Sequence, residues 1–140
     1  MTSVRLLSGA DIDVLAQVAE GVFDFDVNPR WWAEFISDAR HHLAVAIDDG
    51  VVVGMASGVH YVHPDKAPQL FVNEVAVAPS HHRQGIGKQM LDALLQHGRE
   101  LGCSEAWVAT APTNAAARGL YESAGGVADA EPFVMYTFPL

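Results

Sequence analysis

The stretch HHRQGIGKQM, residues 81–90, combines residue types that can hold a bound anion. Gly85 and Gly87 flank one apolar residue, and glycine lets the backbone approach a phosphate closely. An apolar periodic run follows, and a helix starting there would direct free N–H groups and its positive dipole end at the anion. Arg83 could add a charged hydrogen-bond donor, while Ile86 would anchor the turn in the core. These residues therefore predict an anion-binding loop.

Two nucleotide-binding loops share these ingredients but differ from the stretch at decisive positions. A P-loop places Ser or Thr directly after Gly-Lys to bind Mg²⁺, whereas Gln89 follows Lys88 here. A dinucleotide-binding loop needs a third glycine near position 90, where this chain has Met90. Both possibilities are excluded. The stretch resembles the pyrophosphate loop of acyl-coenzyme A transferases, and an ordinary glycine-rich turn between strand and helix is the alternative.

Hydrophobic periodicity predicts the elements that must position this loop. Strands are expected where apolar and β-branched residues run together, at residues 4–7, 42–47, 51–62, 69–77, 105–110 and 132–138. Helices are expected where apolar residues recur every three or four positions, at residues 9–23, 30–39, 86–101 and 115–124. This order predicts one α/β (α+β) domain over residues 1–140, with a mixed, mostly antiparallel central sheet flanked by helices.

Composition limits the classes of protein and partner. The chain has 140 residues, half of them apolar, which is enough for one domain with a real core. A net charge of −9 argues against nucleic acid as the main partner, because binding phosphates needs a basic surface. No apolar run approaches the ~18 residues of a membrane span. The N-terminus has no secretory signal and Cys103 is the single cysteine, so a cytoplasmic protein without a membrane partner is expected.

Two longer segments carry a family resemblance. VNEVAVAPSHHRQGIGKQMLDALL resembles the central motif of the GNAT superfamily of N-acetyltransferases, in which a strand, a glycine loop and an apolar helix follow one another. NAAARGLYESAGG is similar to the second signature of that superfamily, with Asn114, Ala117 and Tyr121 at matching positions. His82 stands where Arg or Gln is usual, and Gly126 stands where Phe is usual. The resemblance implies the GNAT fold for the whole chain.

The resemblance also implies acetyl-CoA as co-substrate. Its pantetheine arm would pair with the strand before the loop, and the backbone amides of the loop would hold the pyrophosphate. The departure at His82 matters little if backbone amides make these contacts. The residues expected to bind acetyl-CoA are Val75, Val77, His82, Arg83, Gln84, Gly85, Ile86, Gly87, Lys88, Asn114 and Ala117. For Asn114, a plain helix N-cap is the alternative role.

Two residues are expected to transfer protons. In the superfamily the residue matching Tyr121 protonates the departing thiolate, and a core tyrosine at helical spacing is the alternative. An acceptor amine is mostly protonated at neutral pH, so its attack needs a general base or a water chain. Glu74 is the candidate base, because an acid in the otherwise apolar strand FVNEVAV is costly unless it faces a cleft. An exposed position at the solvent edge is the alternative for Glu74.

The acceptor must be inferred from segments outside these motifs. NEVAVAPSHHRQGIG and the C-terminal EPFVMYTFPL are similar to the small aminoglycoside 3-N-acetyltransferases, which implies a polycationic amine as substrate. Asp24 and Asp26 lie where that fold lines its acceptor cleft, and His60 could line it too; a turn would explain the aspartates equally. Other amines stay open: a polyamine, an amino-acid derivative, a protein N-terminus or a lysine. A non-catalytic acetyl-CoA-binding module is the alternative of a different class.

The histidines do not predict a metal site. His60 and His63 are three apart on a strand and therefore point to opposite faces, with no cysteine or acid at ligand spacing.

The C-terminal PFVMYTF is apolar and would form an edge strand that needs cover. A homodimer through these strands is expected, either by strand exchange or side by side.

Overall fold

The computed structural model describes all of residues 1–140. Its framework is a five-stranded sheet in which the strands lie in sequence order. The strands are β1 (Thr2–Leu6), β2 (His41–Asp48), β3 (Val51–Tyr61), β4 (Gln69–Val77) and β5 (Glu105–Trp107). The helices are α1 (Pro29–Ser37), α2 (Ile86–Glu100) and α3 (Ala115–Ser123).

Strands β1 to β4 pair antiparallel, whereas β5 joins the sheet parallel to β4. The hairpin between β2 and β3 turns at Asp49 and Gly50, which both have positive φ, as the preferred two-residue hairpin turn requires. β5 is parallel because the chain crosses over through α2 before it returns to the sheet edge. The mixed, mostly antiparallel sheet with flanking helices confirms the predicted fold class.

Helix α2 packs across the sheet and supplies much of the core. Its apolar residues recur at helical spacing, which places one face in the interior, namely Ile86, Met90, Leu91 and Leu94. Gly98 lets the helix approach β4 closely, since a Cβ there would lie 3.0 Å from the Leu70 side chain. None of the helices has the length and apolar character needed to cross a membrane.

The helix predicted for residues 9–23 does not form. Two short 3₁₀ turns stand in its place, Gly9–Asp11 and Val14–Ala16. The backbone beyond them bonds to the sheet instead, with the Ala19 N–H donating to the Val52 carbonyl at 2.8 Å. The prediction was wrong because burial against a sheet can also produce apolar spacing, as at Val22, which is 1 % exposed.

The strand predicted for residues 132–138 does not form either, and β5 ends at Trp107 rather than at residue 110. We call residues 127–140 the C-terminal segment; it contains no helix or strand and is exposed throughout. Phe133 and Met135, for example, are 81 % and 86 % exposed. A strand needs a partner for its backbone groups, and within one chain the C-terminal segment pairs with none.

Three histidines meet where β2 begins and β3 ends. His42 is buried, and its Nε2 lies 2.7 Å from Nδ1 of His60. Its ring centroid lies 4.6 Å from that of His97 on α2, in an edge-on arrangement. Burial, followed by the positive charges that His97 and His60 can carry, lowers the pKa of His42 to about 4. His42 is therefore neutral in the folded protein at any pH near neutrality.

The lowered pKa of His42 predicts acid destabilisation near pH 5. In the unfolded chain its pKa is the ordinary 6.5, so below that pH the unfolded state binds a proton that the folded state excludes. This contribution is fully present above pH 6.5 and is lost as the pH falls toward 4. We expect the free energy of unfolding to drop by about 2 kcal/mol between pH 7.5 and pH 5.0. Urea unfolding at the two pH values measures the difference.

The matched control is His42→Gln, which keeps an amide for hydrogen bonding but does not titrate. Its free energy of unfolding should change much less over the same interval, because carboxylates titrate mainly below pH 5. If the variant loses as much stability as the wild type, His42 is not the group responsible.

Candidate active site

Part of β4 has a free backbone edge. β5 pairs with β4 only over Gln69–Phe71. The edge of Val72–Val77 that faces away from β3 therefore has no strand partner. The outward backbone groups of this edge are available to an extended ligand, except the Val77 carbonyl, which accepts a hydrogen bond from the His82 side chain at 2.7 Å. Val75 and Val77, the residues expected to pair with pantetheine, both lie on this edge.

A β-bulge marks the beginning of the free edge. Ser57 of β3 pairs with Glu74, but the next residue, Gly58, pairs with Val72, which leaves Asn73 as the extra residue. A bulge bends its strand and increases the local twist. The bulge thus accounts for the divergence of β4 from β5 immediately after their short pairing.

The chain turns from β4 into α2 through the predicted glycine loop. Gly85 is the N-cap residue of α2 with a φ of 75°, and Arg83 has a φ of 62°. The left-handed region is natural for glycine but unfavourable for arginine. The first backbone bond of α2 runs from the Gln89 N–H to the Gly85 carbonyl at 3.1 Å, so the three N–H groups before it have no helical acceptor. Free N–H groups at a helix N-terminus can hold an anion, which is the role predicted for this loop.

Neighbouring elements bound the loop on two sides. Ile86 is 4 % exposed and anchors the loop in the core, as predicted. Gly87 faces α3, since a Cβ there would lie 3.5 Å from the Leu120 side chain. Lys88 extends along the helix and its Nζ lies 2.8 Å from Asp92. The exposed Arg83 and Gln84 complete the rim.

His82 bonds to β4 with its side chain. Its Nε2 lies 2.7 Å from the carbonyl oxygen of Val77. A carbonyl can only accept, so Nε2 carries the hydrogen and donates it. This exposed side chain thus connects the loop to β4, and the backbone amides remain the groups available to a pyrophosphate.

Asn114 caps the N-terminus of α3. Its Oδ1 accepts a hydrogen bond from the Ala117 N–H at 3.1 Å, so the capping role left open by the sequence is present. The amide nitrogen of Asn114 takes no part in that bond and can still donate to a ligand.

Glu74, Asp24 and Tyr121 line one cavity of about 260 Å³ beside the free edge of β4. The cavity thus brings the predicted base, the predicted acid and one of the two aspartates together. Its complete lining is Gly21, Val22, Asp24, Met55, Asn73, Glu74, Val75, Ala76 and Tyr121.

The two proton-transfer candidates have different surroundings. Burial raises the pKa of the Tyr121 phenol, which keeps it protonated at neutral pH and able to donate. Glu74 is exposed on the bulged part of β4, where its carboxylate can accept a proton from a bound amine or a water. A group that can donate a proton and a group that can accept one therefore lie at the same cavity.

Two predicted acceptor residues lie elsewhere. Asp26 is exposed and does not line the cavity, although Asp24 does. His60 belongs to the histidine cluster with His42 and is likewise absent from the cavity wall. Asn73 and Met55 also line the cavity and were not predicted: no residue pattern signals the bulge at Asn73, and Met55 is a buried core residue that reads as core in the sequence.

Gly126, the second departure from the family pattern, fits beneath Tyr121 because it lacks a side chain. Its N–H donates to the Tyr121 carbonyl at 2.9 Å, and a Cβ would lie only 2.8 Å from that oxygen. We expect Gly126→Ala to cost about 1–3 kcal/mol of stability and to lower activity by displacing Tyr121. Thermal unfolding and steady-state rates measure the two effects.

Gly119→Ala is the matched control, because Gly119 lies in α3, the helix that carries Tyr121, and a Cβ there meets nothing within 4 Å. This change should stabilise the helix by about 0.5–1 kcal/mol. Similar effects of the two substitutions would show that the close approach at Gly126 is unimportant.

A donor that lies along β4 with its phosphates on the start of α2 fits this geometry, as in transferases that take an acyl group from a coenzyme A thioester. Sequence comparison makes the class specific. Residues 13–126 match the acetyltransferase (GNAT) family, and the chain belongs to that family.

Curated relatives include enzymes for different amines. The chain is 32 % identical over 90 residues to aminoglycoside N(6′)-acetyltransferase type 1 of Salmonella typhimurium, covering 60 % of this chain and 62 % of that protein. The match therefore spans less than two thirds of the relative. The chain is also 27 % identical over 125 residues to the ribosomal protein bS18-alanine N-acetyltransferase of the same organism, covering 89 % of this chain and 80 % of that protein. The first relative is named for the 6′ position, so the predicted similarity to 3-N enzymes is not confirmed.

Solved structures show the same fold. An aminoglycoside acetyltransferase from an uncultured soil metagenomic sample, in complex with trehalose, superposes with a TM-score of 0.84 at 20 % identity, covering 99 % of this chain and 96 % of that chain. AAC(6′)-Iy, in complex with a CoA-based bisubstrate analog, gives a TM-score of 0.76 at 22 % identity, covering 100 % and 99 %.

Proposed function

We propose that the chain is an acetyl-CoA-dependent N-acetyltransferase that acts on an amino group of an aminoglycoside. The observation that carries the proposal is the free edge of β4 running into the unpaired N–H groups at the start of α2. These two sets of free backbone groups, one on β4 and one at the start of α2, suit an extended pantetheine arm followed by a pyrophosphate. Loop amides, Asn114 and the edge at Val75 and Val77 would hold the donor.

The cavity residues would then carry out direct transfer in a ternary complex. Glu74 accepts the proton of the acceptor ammonium, directly or through a water, which frees the nitrogen lone pair. The amine attacks the thioester carbonyl, so a C–N bond forms and the C–S bond breaks, and the nitrogen releases its surplus proton to water as the amide forms. Tyr121 gives its phenolic proton to the departing thiolate and recovers a proton from solvent. Amide and free coenzyme A are the products.

Charge and kinship support the choice of acceptor. The net charge of −9 attracts a polycation, and Asp24 places a carboxylate at the cavity where an ammonium would enter. The aminoglycoside relative is named for acetylation at the 6′ position. We therefore propose the 6′ amine as the acetylated group, in place of the 3-amine expected from sequence.

The proposed reaction requires acetyl-CoA as the acetyl donor. We propose the cytoplasm as the location of the protein, because its one cysteine, Cys103, is free and a free thiol suits a reducing compartment.

Release of coenzyme A thiol from acetyl-CoA across a panel of amines tests the proposal. The panel contains aminoglycosides with and without a 6′-amino group, spermidine, 2,4-diaminobutyrate and a peptide that begins with alanine. We expect turnover with aminoglycosides that carry the 6′ amine, and NMR of the product assigns the acetylated position. Turnover with the alanine peptide alone would contradict the acceptor proposal. Tight coenzyme A binding without turnover of any amine would favour a non-catalytic module.

We also propose that the chain forms a homodimer through the C-terminal segment. Five of its large apolar side chains are each at least 77 % exposed: Phe133, Val134, Met135, Tyr136 and Phe138. An exposed apolar run of this extent marks an interaction surface. The edge of β5 lies beside a second cavity of about 310 Å³, lined mostly by apolar residues that include Trp107 and Val108. The C-terminal segment of a second copy can cover this cavity.

Light scattering after size-exclusion chromatography measures the oligomeric state. The wild type should run as a dimer and Met135→Asp as a monomer, because a buried unpaired carboxylate is costly. Glu131→Gln is the control on the same segment and should stay dimeric. A monomeric wild type would overturn the dimer proposal.

A further inference from the structure

We call the glycine loop between β4 and α2, residues 82–88, the donor loop. His81 links it to the end of β2. Its Nε2 lies 2.6 Å from Oδ2 of Asp48, and its Nδ1 lies 2.8 Å from Oγ of Ser80. The neutral ring can satisfy both contacts, with Nε2–H donating to the carboxylate and Nδ1 accepting from the hydroxyl. The side chain of His81 is 18 % exposed and that of Asp48 is 30 % exposed, so water screens the contact only in part. The His81 hydrogen bond is also the main cause that lowers the pKa of Asp48.

The next residue links the loop to a different strand. His82 donates from Nε2 to the Val77 carbonyl at 2.7 Å, which ties the loop to the end of β4. Two consecutive side chains thus connect the loop in opposite directions, to β2 through Asp48 and to β4 through Val77. We call His81 and His82 the histidine pair.

We propose that the histidine pair are positioning residues that hold the donor loop in its anion-binding shape before the donor arrives. The proposal rests on the proposed function, since it concerns the site that would receive acetyl-CoA. Neither imidazole is needed to touch the donor, because the side chains act through Asp48 and Val77 on the backbone that follows them.

The backbone just after the pair explains why the loop needs such ties. Arg83 is held at a φ of 62°, a conformation that arginine rarely adopts, and Gly85 follows at 75°. The amides beyond them have no partner within α2. A segment with unfavourable dihedrals and few bonds of its own would lose its shape if released. The free energy of ordering the loop would then reduce the net binding free energy, which weakens affinity for the donor.

The probe for this proposal is coenzyme A, titrated calorimetrically into the purified chain. We expect His81→Ala, Asp48→Ala and His82→Ala each to raise Kd about tenfold, the effect of losing one charged or well-formed hydrogen bond. The His81→Ala, Asp48→Ala double variant should bind coenzyme A no more weakly than Asp48→Ala alone, because both substitutions remove the same hydrogen bond and Asp48→Ala also removes the contact of Asp48 with the Met1 ammonium at 3.5 Å. His81→Gln should restore affinity, since its amide nitrogen can replace Nε2 as a donor. kcat should change by no more than about twofold.

His41→Ala is the control, because His41 lies at the opposite end of β2 and should leave Kd unchanged. Hydrogen exchange of the amides of residues 82–88 in the unliganded chain gives a readout independent of coenzyme A. It should accelerate in His81→Ala and not in His41→Ala. Unchanged Kd and unchanged exchange in His81→Ala would overturn the proposal, as would lower thermal stability without a change in Kd. If the wild type binds no coenzyme A, the proposed function fails, while hydrogen exchange still shows whether the pair orders the loop.

Discussion

Replacing Tyr121 by phenylalanine should lower kcat by about 10²-fold or more and leave KM for acetyl-CoA unchanged. The substitution removes one oxygen and keeps the ring that packs beside the core. Burial raises the pKa of this phenol, so the wild-type group is a proton donor over the whole neutral range. Without it the thiolate must leave unprotonated or take a proton from water, which slows the chemical step and not the binding of the donor.

Tyr136→Phe is the matched control for Tyr121→Phe. Tyr136 lies in the exposed C-terminal segment, so its loss of a hydroxyl should not change kcat. Steady-state kinetics with saturating acceptor measure both variants. A Tyr121→Phe enzyme that retains more than half of the wild-type kcat would remove Tyr121 from the mechanism and leave it a core tyrosine.

Replacing Glu74 by glutamine should lower the rate of amine acetylation by about 10²-fold with little change in the Kd of acetyl-CoA. The side chain is exposed, so the isosteric amide fits without disturbing the fold. The amide cannot accept the proton of the ammonium, and fewer acceptor molecules are then able to attack. Kinetics together with calorimetric titration of acetyl-CoA separate the two effects.

Glu122→Gln gives the same chemical change on α3, directly after Tyr121, and should leave the rate unchanged. Equal loss of rate and of acetyl-CoA affinity in Glu74→Gln would point to a structural role of the carboxylate. A normal rate would show that a water chain removes the proton without Glu74.

The path from β4 through the loop to α2 could be predicted because all of its signals are local. Alternating and β-branched residues define the strand, Gly85 supplies the left-handed cap, and the apolar spacing after Ile86 defines the buried face. Residues adjacent in sequence are adjacent in this part of the fold. The proposed donor site therefore follows largely from consecutive residues.

Elements whose shape depends on distant partners could not be predicted in the same way. The apolar spacing around Val22 arises from burial against the sheet, with no helix present. The strand expected near Phe133 has no pairing partner within the chain. Both segments are apolar, as their sequences indicate. Whether each forms a helix or a strand depends on which backbone groups are near enough to bond with it, and the local sequence does not show this.

The contacts of individual side chains also depend on partners that the local sequence does not reveal. His60 could have lined an acceptor cleft by sequence, yet in the fold it meets His42, eighteen residues earlier in the chain. His82 was expected to bind acetyl-CoA, mainly through its backbone, whereas in the fold its side chain donates a hydrogen bond to the Val77 carbonyl. Residue type alone does not reveal which neighbour a histidine will meet.

By itself the sequence determined the order of the central elements, the glycine loop and the residue types of the proposed donor site, because short-range spacing encodes each of them. Only the tertiary structure decided that Glu74, Asp24 and Tyr121 share one cavity. The β-bulge at Asn73 and the short pairing of β5 open that cavity. The bulge depends on the register between the consecutive strands β3 and β4, and the short pairing depends on where β5 meets β4 after the chain has passed through α2. Registers are set by packing across the whole sheet, so no single segment carries the information.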